Sequence, residues 1–408
     1  MFFFCTFVQQ SSIKMRTKQF RYFIVFITLT FITWSCGKVA TPEPVVLVSS
    51  TLVKEYTKEQ LIASLVSTLG SQASLFVQGG VKQYKIVYKT KNTDGTEIQA
   101  SGAVIIPVGT SLTNALPLLS YQHGTIFDDK QAPSYLAADG EGAIASFLAT
   151  LGYIVAAPDY IGYGASNNLP HTYEQREGLA TAGIDMLRAT KEFITKEKAN
   201  WNQSLYIAGY SEGGYATMAL QKKIEEKAPT EFSLKASSCG AGAYNKTLSF
   251  KTLATTKSSG DSQHNASYIW VLLTYDRVYK LNRAMTAFFA EPYATQIAKD
   301  KQNVRISGSL TTILSDAVKK GVTDGTDTAL LNAVKDNDIF DWKPKTPTRL
   351  YHGTADTYVP YFNSQTAFDA MQKRGATNVA LFPVAGGEHG STIQSFLLGT
   401  LEFFSNTK

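Results

Sequence analysis

The chain has 408 residues, of which 44% are hydrophobic and 18% are charged, so it is long enough and apolar enough to form a large globular core. These values exclude a disulfide-stapled mini-protein and a wholly disordered chain. The formal net charge is +6, but four of the positive residues (Lys14, Arg16, Lys18 and Arg21) lie before residue 36, where there is no acidic residue. The near-neutral remainder lacks the clustered basic face of nucleic-acid-binding proteins, so we expect no nucleic acid partner.

The three-part pattern of a secretory signal lies at the end of residues 1–36. We expect translation to start at either Met1 or Met15. Basic residues precede an uncharged apolar run over 22–34, and Ser35 and Cys36 follow it. The run is shorter than the about 20 residues of a membrane-spanning helix. Cys36 resembles the lipidated cysteine of bacterial lipoproteins, and an ordinary cleaved signal is the alternative. We predict an exported protein of the bacterial cell envelope, periplasmic or outer-membrane, attached to the membrane through a lipid on Cys36.

The next segments predict a linker and then the first part of an α/β core. Residues 37–55 contain Ala-Thr-Pro-Glu-Pro and are typical of an extended linker. Over 56–239, strand-length apolar segments alternate with helix-length ones. The expected strands are 82–89, 97–107, 117–122, 153–158, 204–209 and 232–238, and the expected helices are 142–151, 174–196 and 211–227. This alternation predicts a mostly parallel central sheet flanked by helices, with an antiparallel start.

Residues 240–341 have the pattern of several helices. Because connections within compact domains rarely exceed about 15 residues, this stretch of about 100 residues predicts an inserted helical cap. The cap precedes a strand expected at 348–353, and residues 342–408 complete the core with one more strand and two helices. Cys239 is the one cysteine after the leader, so we expect no disulfide in the body of the protein.

A nucleophile is predicted where a strand passes directly into a helix. The sequence Gly-Tyr-Ser-Glu-Gly at 209–213 follows an apolar strand and begins a helix. In this context Gly-x-Ser-x-Gly is typical of a sharp turn that lifts a serine hydroxyl above the sheet edge. An unreactive glycine-rich turn is the alternative interpretation. The motif makes Ser211 the candidate nucleophile.

A serine nucleophile needs a general base and a carboxylate that orients it. His389 follows Ser211 in the chain and lies in a loop of small residues just before the last helix. Asp356 follows the strand at 348–353 in a turn and is the candidate acid, with Asp338 and Asp341 as rivals. The order serine, acid, histidine is the order of α/β-hydrolases.

Two backbone amides should stabilise an oxyanion at this site. One is the amide of Glu212, directly after the nucleophile, and the other is expected at Thr125 in the His-Gly-Thr sequence at 123–125. His123 begins the His-Gly-Thr sequence, Tyr210 directly precedes Ser211, and Tyr160 follows the strand expected at 153–158. All three are candidates for the wall of a substrate pocket.

Six motifs follow one another in the chain. They are His-Gly-Thr at 123–125, Ala-Pro-Ser at 132–134, Pro-Asp-Tyr-Ile-Gly-Tyr-Gly at 158–164, Gly-Tyr-Ser-Glu-Gly-Gly at 209–214, His-Gly-Thr-Ala-Asp-Thr-Tyr-Val-Pro at 352–360 and Gly-Glu-His at 387–389. In this order they resemble the α/β-hydrolase superfamily and, more closely, the secretory lipase family with its bacterial esterase and lipase relatives. The resemblance covers about residues 80–405.

The resemblance implies a serine esterase or lipase with an α/β-hydrolase fold, in which the cap is inserted before the strand that carries the catalytic acid. It implies a triad of Ser211, Asp356 and His389 that needs neither a metal nor an organic cofactor. Asp159, in the Pro-Asp-Tyr motif, would shape the site without joining the triad. The chain lacks the His-Gly-Gly-Gly pattern of hormone-sensitive-lipase-like enzymes, which argues against bulky tertiary-alcohol esters.

The expected activity is hydrolysis of a small carboxylic ester with short to medium acyl chains, through an acyl-enzyme. A serine peptidase of the same fold and a true long-chain lipase are the alternatives, together with a non-catalytic binding protein on this scaffold. Aromatic residues concentrate in the predicted cap, at Tyr268, Trp270, Tyr275, Tyr279, Phe288, Phe289 and Tyr293. They either form the core of the cap or line an acyl pocket facing Ser211.

Overall fold

The computed structural model describes residues 45–69, 74–75, 77–109 and 114–407. The predicted leader with Cys36 and the first part of the predicted linker lie outside these residues. The second part of the linker prediction is wrong, because Leu47–Tyr56 forms a strand that pairs antiparallel with its neighbour in the sheet. Most of its residues are exposed, so the strand lacks the alternating burial that sequence patterns detect.

Nine strands form one sheet. They are β1 (Leu47–Tyr56), β2 (Gly80–Lys91), β3 (Glu97–Val108), β4 (Leu116–Gln122), β5 (Ile154–Pro158), β6 (Trp201–Tyr210), β7 (Ser233–Gly240), β8 (Thr348–Gly353) and β9 (Val379–Val384), in the order β1-β2-β3-β5-β4-β6-β7-β8-β9. Strands β1, β2 and β3 are antiparallel, and β3 also pairs antiparallel with β5. All pairs from β5 to β9 are parallel. The predicted mostly parallel sheet with an antiparallel start is therefore confirmed.

Helices cover both faces of the sheet. The helices of the core are α1 (Lys58–Leu69), α2 (Glu141–Thr150), α3 (Arg176–Glu197), α4 (Glu212–Lys227), α12 (Phe362–Lys373) and α13 (Ile393–Ser405). On one face, Leu61, Ala145 and Phe404 share a buried cluster with strand residues, and on the other face Met186 and Leu220 do so. Strand β5 is buried along its whole length, as expected for a parallel strand covered on both sides.

The cap lies between β7 and β8. It contains α5 (Lys246–Thr255), α6 (Ser262–Val278), α7 (Met285–Phe288), α8 (Tyr293–Asp300), α9 (Leu310–Ile313), α10 (Asp316–Thr323) and α11 (Thr328–Asp336). Tyr275, Phe288 and Phe289 are fully buried and belong to its apolar core.

Among the described residues, no helix combines the length and the apolar character needed to cross a membrane.

Parallel strands bring their carboxyl ends to one edge of a sheet. Ser211 follows β6, Asp356 follows β8 and His389 follows β9, so residues that are far apart in the chain meet at this edge. The cap is inserted after β7 and begins at the same edge. The topology thus forms a site between the strand ends and the cap.

Candidate active site

Ser211 lies in a tight turn between β6 and α4. Its φ of 60° and ψ of −124° are rare for a residue other than glycine, and such a backbone is found where the surrounding structure enforces it. The enforcing contact is close packing: a Cβ at Gly213 would lie 2.1 Å from the carbonyl oxygen of Gln122. The Ser211 amide also donates to Gly240 O at 2.9 Å. The turn holds the hydroxyl above the sheet edge, in the position expected for a nucleophile.

Ser211, His389 and Asp356 form a continuous chain of hydrogen bonds. His389 Nε2 lies 2.9 Å from Ser211 Oγ, and His389 Nδ1 lies 2.6 Å from Asp356 Oδ2. Because an ionised carboxylate only accepts, Nδ1 carries the proton in the neutral imidazole and Nε2 is free to accept from the serine hydroxyl. This arrangement can deprotonate the hydroxyl and hold the resulting imidazolium.

Asp356 has a second histidine neighbour that sequence reasoning did not use. His352 Nε2 lies 3.3 Å from Asp356 Oδ2 and also donates to Val359 O at 2.6 Å. The other oxygen, Oδ1, accepts from the amides of Tyr358 and Val359. Burial by itself would raise the pKa of Asp356, but the hydrogen bonds from His352 and His389 lower this pKa well below its usual value. Asp356 is therefore held as a carboxylate.

The rival acids are occupied elsewhere. Asp341 forms a two-pronged ion pair with Arg374, at 2.5 and 2.7 Å. Asp338 accepts from the side chain and the amide of Thr247. The structure brings Asp356, and neither rival, into contact with His389.

The loop of the second expected oxyanion donor packs beside the nucleophile turn. A Cβ at Gly213 would also lie 2.8 Å from His123 O, and Thr125 Oγ1 lies 2.9 Å from the Tyr173 hydroxyl. The amide of Glu212 is the first in α4, so no carbonyl one turn earlier in the helix is available to accept from it. Both amides therefore stay candidates for stabilising an oxyanion.

The three residues predicted to line a pocket do not line the cavity at Ser211. His123 and Tyr160 are fully buried and stack on each other with ring centres 4.1 Å apart, and the Tyr160 hydroxyl donates to His123 O at 3.1 Å. The Tyr210 hydroxyl donates to His389 O at 2.7 Å. The prediction is wrong because the fold turns these side chains toward the loops, where they support the histidine and the predicted oxyanion donor.

Asp159 and Glu212 are buried acids that hold loops around the site. Asp159 accepts from Ser101 Oγ at 2.5 Å and from the Ser134 amide at 2.7 Å, away from the triad. Glu212 Oε1 lies 2.7 Å from His171 Nε2, with both side chains almost fully buried. The Glu212–His171 contact fixes the first turn of α4, which carries one of the two candidate oxyanion amides. The role of Glu212 as an amide donor was predicted, but its side-chain anchor was not.

A cavity opens from Ser211 into the cap. Its volume is about 60 Å³. The apolar lining comes mainly from the cap and from the loop after β8: Phe250, Leu253, Val271, Leu272, Leu310, Leu314, Val359 and Pro360. Of the predicted cap aromatics, Tyr268 lines the cavity, whereas Tyr275, Phe288 and Phe289 form the cap core. A mainly apolar cavity with a few polar groups is typical of a small-molecule site.

Two charged residues that sequence reasoning missed line the same cavity. Glu174 and Lys246 form a buried ion pair with side chains 10% and 3% exposed. They lie 72 positions apart in the chain, and no local pattern connects them. Among the described residues, no group of three or more His, Cys, Asp or Glu side chains could hold a metal ion.

Solved structures share this fold. A putative hydrolase from Legionella pneumophila has a TM-score of 0.80 and 24% identity, over 89% of this chain and 98% of its own. The rice cell wall degrading esterase LipA from Xanthomonas oryzae has a TM-score of 0.75 and 24% identity, over 88% and 96%. Candida antarctica lipase A in its closed state has a TM-score of 0.62 and 16% identity, over 88% and 81%.

At the level of sequence, no curated protein matches the chain. The family described as secretory lipase matches residues 137–396, which include Ser211, Asp356 and His389. This match spans more than half of the chain, and the sheet and its flanking helices agree with the hydrolase structures. The resemblance and the fold class predicted from the motifs are thus confirmed, and the chain belongs to the secretory lipase family.

Proposed function

We propose that the protein is a serine carboxylic ester hydrolase that works through an acyl-enzyme, with Ser211, His389 and Asp356 as its triad. The observation that carries the proposal is the hydrogen-bonded chain from Asp356 Oδ2 through both nitrogens of His389 to Ser211 Oγ. Family membership and the fold shared with esterases and lipases support ester hydrolysis in general.

In the proposed reaction, Ser211 Oγ attacks the ester carbonyl while His389 takes the hydroxyl proton. The amides of Glu212 and Thr125 donate to the oxyanion of the tetrahedral intermediate. The carbon–oxygen bond to the alcohol then breaks, and His389 gives its proton to the leaving oxygen. A water molecule, deprotonated by the same histidine, attacks the acyl-enzyme and releases the acid. Asp356 orients His389 and stabilises its charged form throughout.

The cavity favours short to medium acyl chains. A volume of about 60 Å³ is several times the about 10–15 Å³ that one water molecule requires, so the cavity has room for a short chain. Hydrogen bonds fix the wall that α6 contributes: Tyr268 donates to Tyr358 O at 2.6 Å, and Arg277 donates to His171 O at 2.7 Å. Because hydrogen bonds attach α6 at both Tyr268 and Arg277, we expect this wall to stay closed. A closed wall disfavours a long-chain lipase with a mobile lid.

We also propose that the protein is exported and held in the bacterial cell envelope by a lipid on Cys36. The family description of a secretory lipase supports export. The proposed partners are therefore a small ester substrate and, through the lipid anchor, a membrane.

Ser211→Ala tests the proposed activity. Hydrolysis of p-nitrophenyl butyrate should fall by about 10⁴- to 10⁶-fold, because the variant loses the nucleophile on which the other triad members act. Ser233→Ala, an exposed serine at the start of β7, is the matched control and should retain wild-type activity. An organophosphate should label Ser211, as shown by peptide mapping.

Retained activity above a tenth of wild type, or a label on another residue, would exclude the proposal. Cleavage of an aminoacyl anilide at rates near those of the ester would identify the serine peptidase instead.

A further inference from the structure

The cavity wall beside Ser211 contains a charged pair that stability does not explain. Glu174 Oε2 and Lys246 Nζ are hydrogen-bonded inside a lining that is otherwise largely apolar. A buried ion pair is often less stabilising than apolar side chains of the same volume, because both charges lose their hydration. Burial raises the pKa of Glu174 and lowers that of Lys246, and the attraction between the two opposes both shifts. This ion pair therefore costs folding free energy, and a cavity that binds only unsubstituted alkyl chains would not require it.

The pair lies next to the nucleophile turn. Lys246 Nζ lies 4.5 Å from the centre of the Tyr215 ring, and the Tyr215 amide donates to Ser211 O at 3.1 Å. Glu174 follows Tyr173, whose hydroxyl lies 2.9 Å from Thr125 Oγ1 in the candidate oxyanion loop. The apolar residues of α5 that line the cavity, Phe250 and Leu253, lie about 6 and 10 Å further along that helix from Lys246. The charged pair thus lines the same cavity as Ser211 and is connected through Tyr215 and Tyr173 to the nucleophile turn and the candidate oxyanion loop.

Both members are held rigidly and keep unused hydrogen-bonding capacity. Glu174 has a left-handed backbone with φ of 47°, and its carbonyl accepts from the Tyr275 hydroxyl at 3.0 Å. Lys246 is the first residue of α5. An ammonium group has three N–H donors, and in the part of the chain that the structure describes Glu174 is its hydrogen-bond acceptor, while the Tyr215 ring covers another side. A carboxylate has two oxygens, of which one is engaged by Lys246.

We propose that Glu174 and Lys246 are specificity residues that select esters with a hydroxyl group on the acyl chain, close to the carbonyl. This inference rests on the proposed ester hydrolysis and names its substrate class. A hydroxyl group both accepts and donates, so it can accept from Lys246 while it donates to Glu174. The pair has no net charge, so for a charged acyl chain attraction to one member is offset by repulsion from the other, while the charged group still loses its hydration in the cavity. The 3-hydroxyacyl esters fit this requirement better than unsubstituted or charged ones.

The test compares five ethyl esters at pH 7 by titration of the released acid. They are ethyl butyrate, each enantiomer of ethyl 3-hydroxybutyrate, ethyl 3-aminobutyrate and monoethyl succinate. For the better enantiomer of the hydroxy ester, kcat/KM should exceed that of ethyl butyrate by about tenfold, as expected for a hydrogen bond to a charged group. Both charged esters should be slower than ethyl butyrate.

Two variants then examine the pair. In the double variant Glu174→Gln with Lys246→Met, the preference for the hydroxy ester over ethyl butyrate should disappear. In the single variant Glu174→Gln the pocket keeps its shape but Lys246 loses its carboxylate partner, so monoethyl succinate, whose carboxylate can take that place, should improve relative to ethyl butyrate. A purely structural role would not produce this change of substrate charge preference. The single variant also keeps the test decisive if the double variant does not fold.

A matched control is available on the outer surface of α4. Lys222 pairs with Glu226 and lies 5.2 Å from the Trp342 ring, which reproduces the buried arrangement in an exposed position. Lys222→Met with Glu226→Gln should leave the ratios between the esters unchanged. A wild-type preference for ethyl butyrate, or unchanged ratios in the Glu174 variants, would overturn the inference while the proposed function stands. Absence of Ser211-dependent hydrolysis of every ester would instead remove the proposed function.

Discussion

The carboxylate of Asp356 contacts two histidines, His389 and His352. His389 needs it for orientation, and His352 lies against it from within the β8 strand, so the carboxylate has partners on both sides. Its pKa lies below the usual value even though burial acts in the opposite direction. A carboxylate with a lowered pKa in the folded state stabilises the protein above its unfolded-state pKa, and this stabilisation is lost as the pH falls toward the folded-state value.

Replacing Asp356 by Asn should therefore change both activity and acid stability. We expect kcat to fall by about 10⁴-fold, because the amide no longer holds the correct tautomer of His389. The wild type should also be more stable than the variant at neutral pH, and this difference should shrink as the pH falls below about 4, where the unfolded carboxyl becomes protonated. Ester turnover and denaturant unfolding between pH 7 and pH 3 measure the two effects. A stability difference that does not change over this range would contradict the account.

Among single residues, the sequence predicts those whose role depends on a local motif. Ser211 could be predicted because its strained turn requires glycines at fixed positions beside it. Asp356 and His389 could be predicted because each follows a strand and the three residues occur in the required chain order. Glu174 and Lys246 could not, because their proximity depends on how the cap packs on the core. The prediction for His123 and Tyr160 is wrong for a different reason, because a motif does not tell which way a side chain points.

Helix α6 shows how the cap is joined to the site. Near its start, Ser267 and Tyr268 hydrogen-bond to Tyr358 in the acid loop, and the Tyr358 ring lies 4.9 Å from the ring of His389. Near its end, Tyr275 and Arg277 donate to the segment that carries Glu174 and His171. The existence of a helical cap followed from the length of the segment, but these attachments depend on tertiary packing and could not be predicted.

The attached cap predicts a limit on acyl length. For p-nitrophenyl esters, kcat/KM should rise several-fold from C2 to C4, at about 0.8 kcal/mol per buried methylene, and fall by C12. Leu253→Ala with Leu314→Ala should move the optimum to longer chains because both side chains line the cavity. Leu398→Ala, at a residue 51% exposed on α13, is the control and should leave the profile unchanged. A maximum at C12 or beyond with activation at an oil interface would identify a lipase instead.

For the whole molecule, the proposed anchor predicts where the protein is found in the cell. Cys36→Ser should move it from the membrane pellet to the soluble fraction, because lipid chains contribute about 0.8 kcal/mol per buried methylene and the variant cannot carry them. Fractionation after a high-salt wash measures this, with Cys5→Ser as the control that should stay in the pellet. If the Cys36 variant also stays in the pellet, the protein is not held by a lipid on this residue.

The direction of β1 has a consequence for such a tether. Leu47 pairs with Tyr88, Lys91 at the end of β2 pairs with Glu97, and Gly102 pairs with Pro158, so β1 runs opposite to the parallel strands. Its first residue therefore lies at the sheet edge where β5 ends, which is the edge that carries Ser211. A tether that continues from Leu47 would leave the domain at the edge that carries Ser211, and so would limit how far that edge could turn away from a membrane to which the tether is attached.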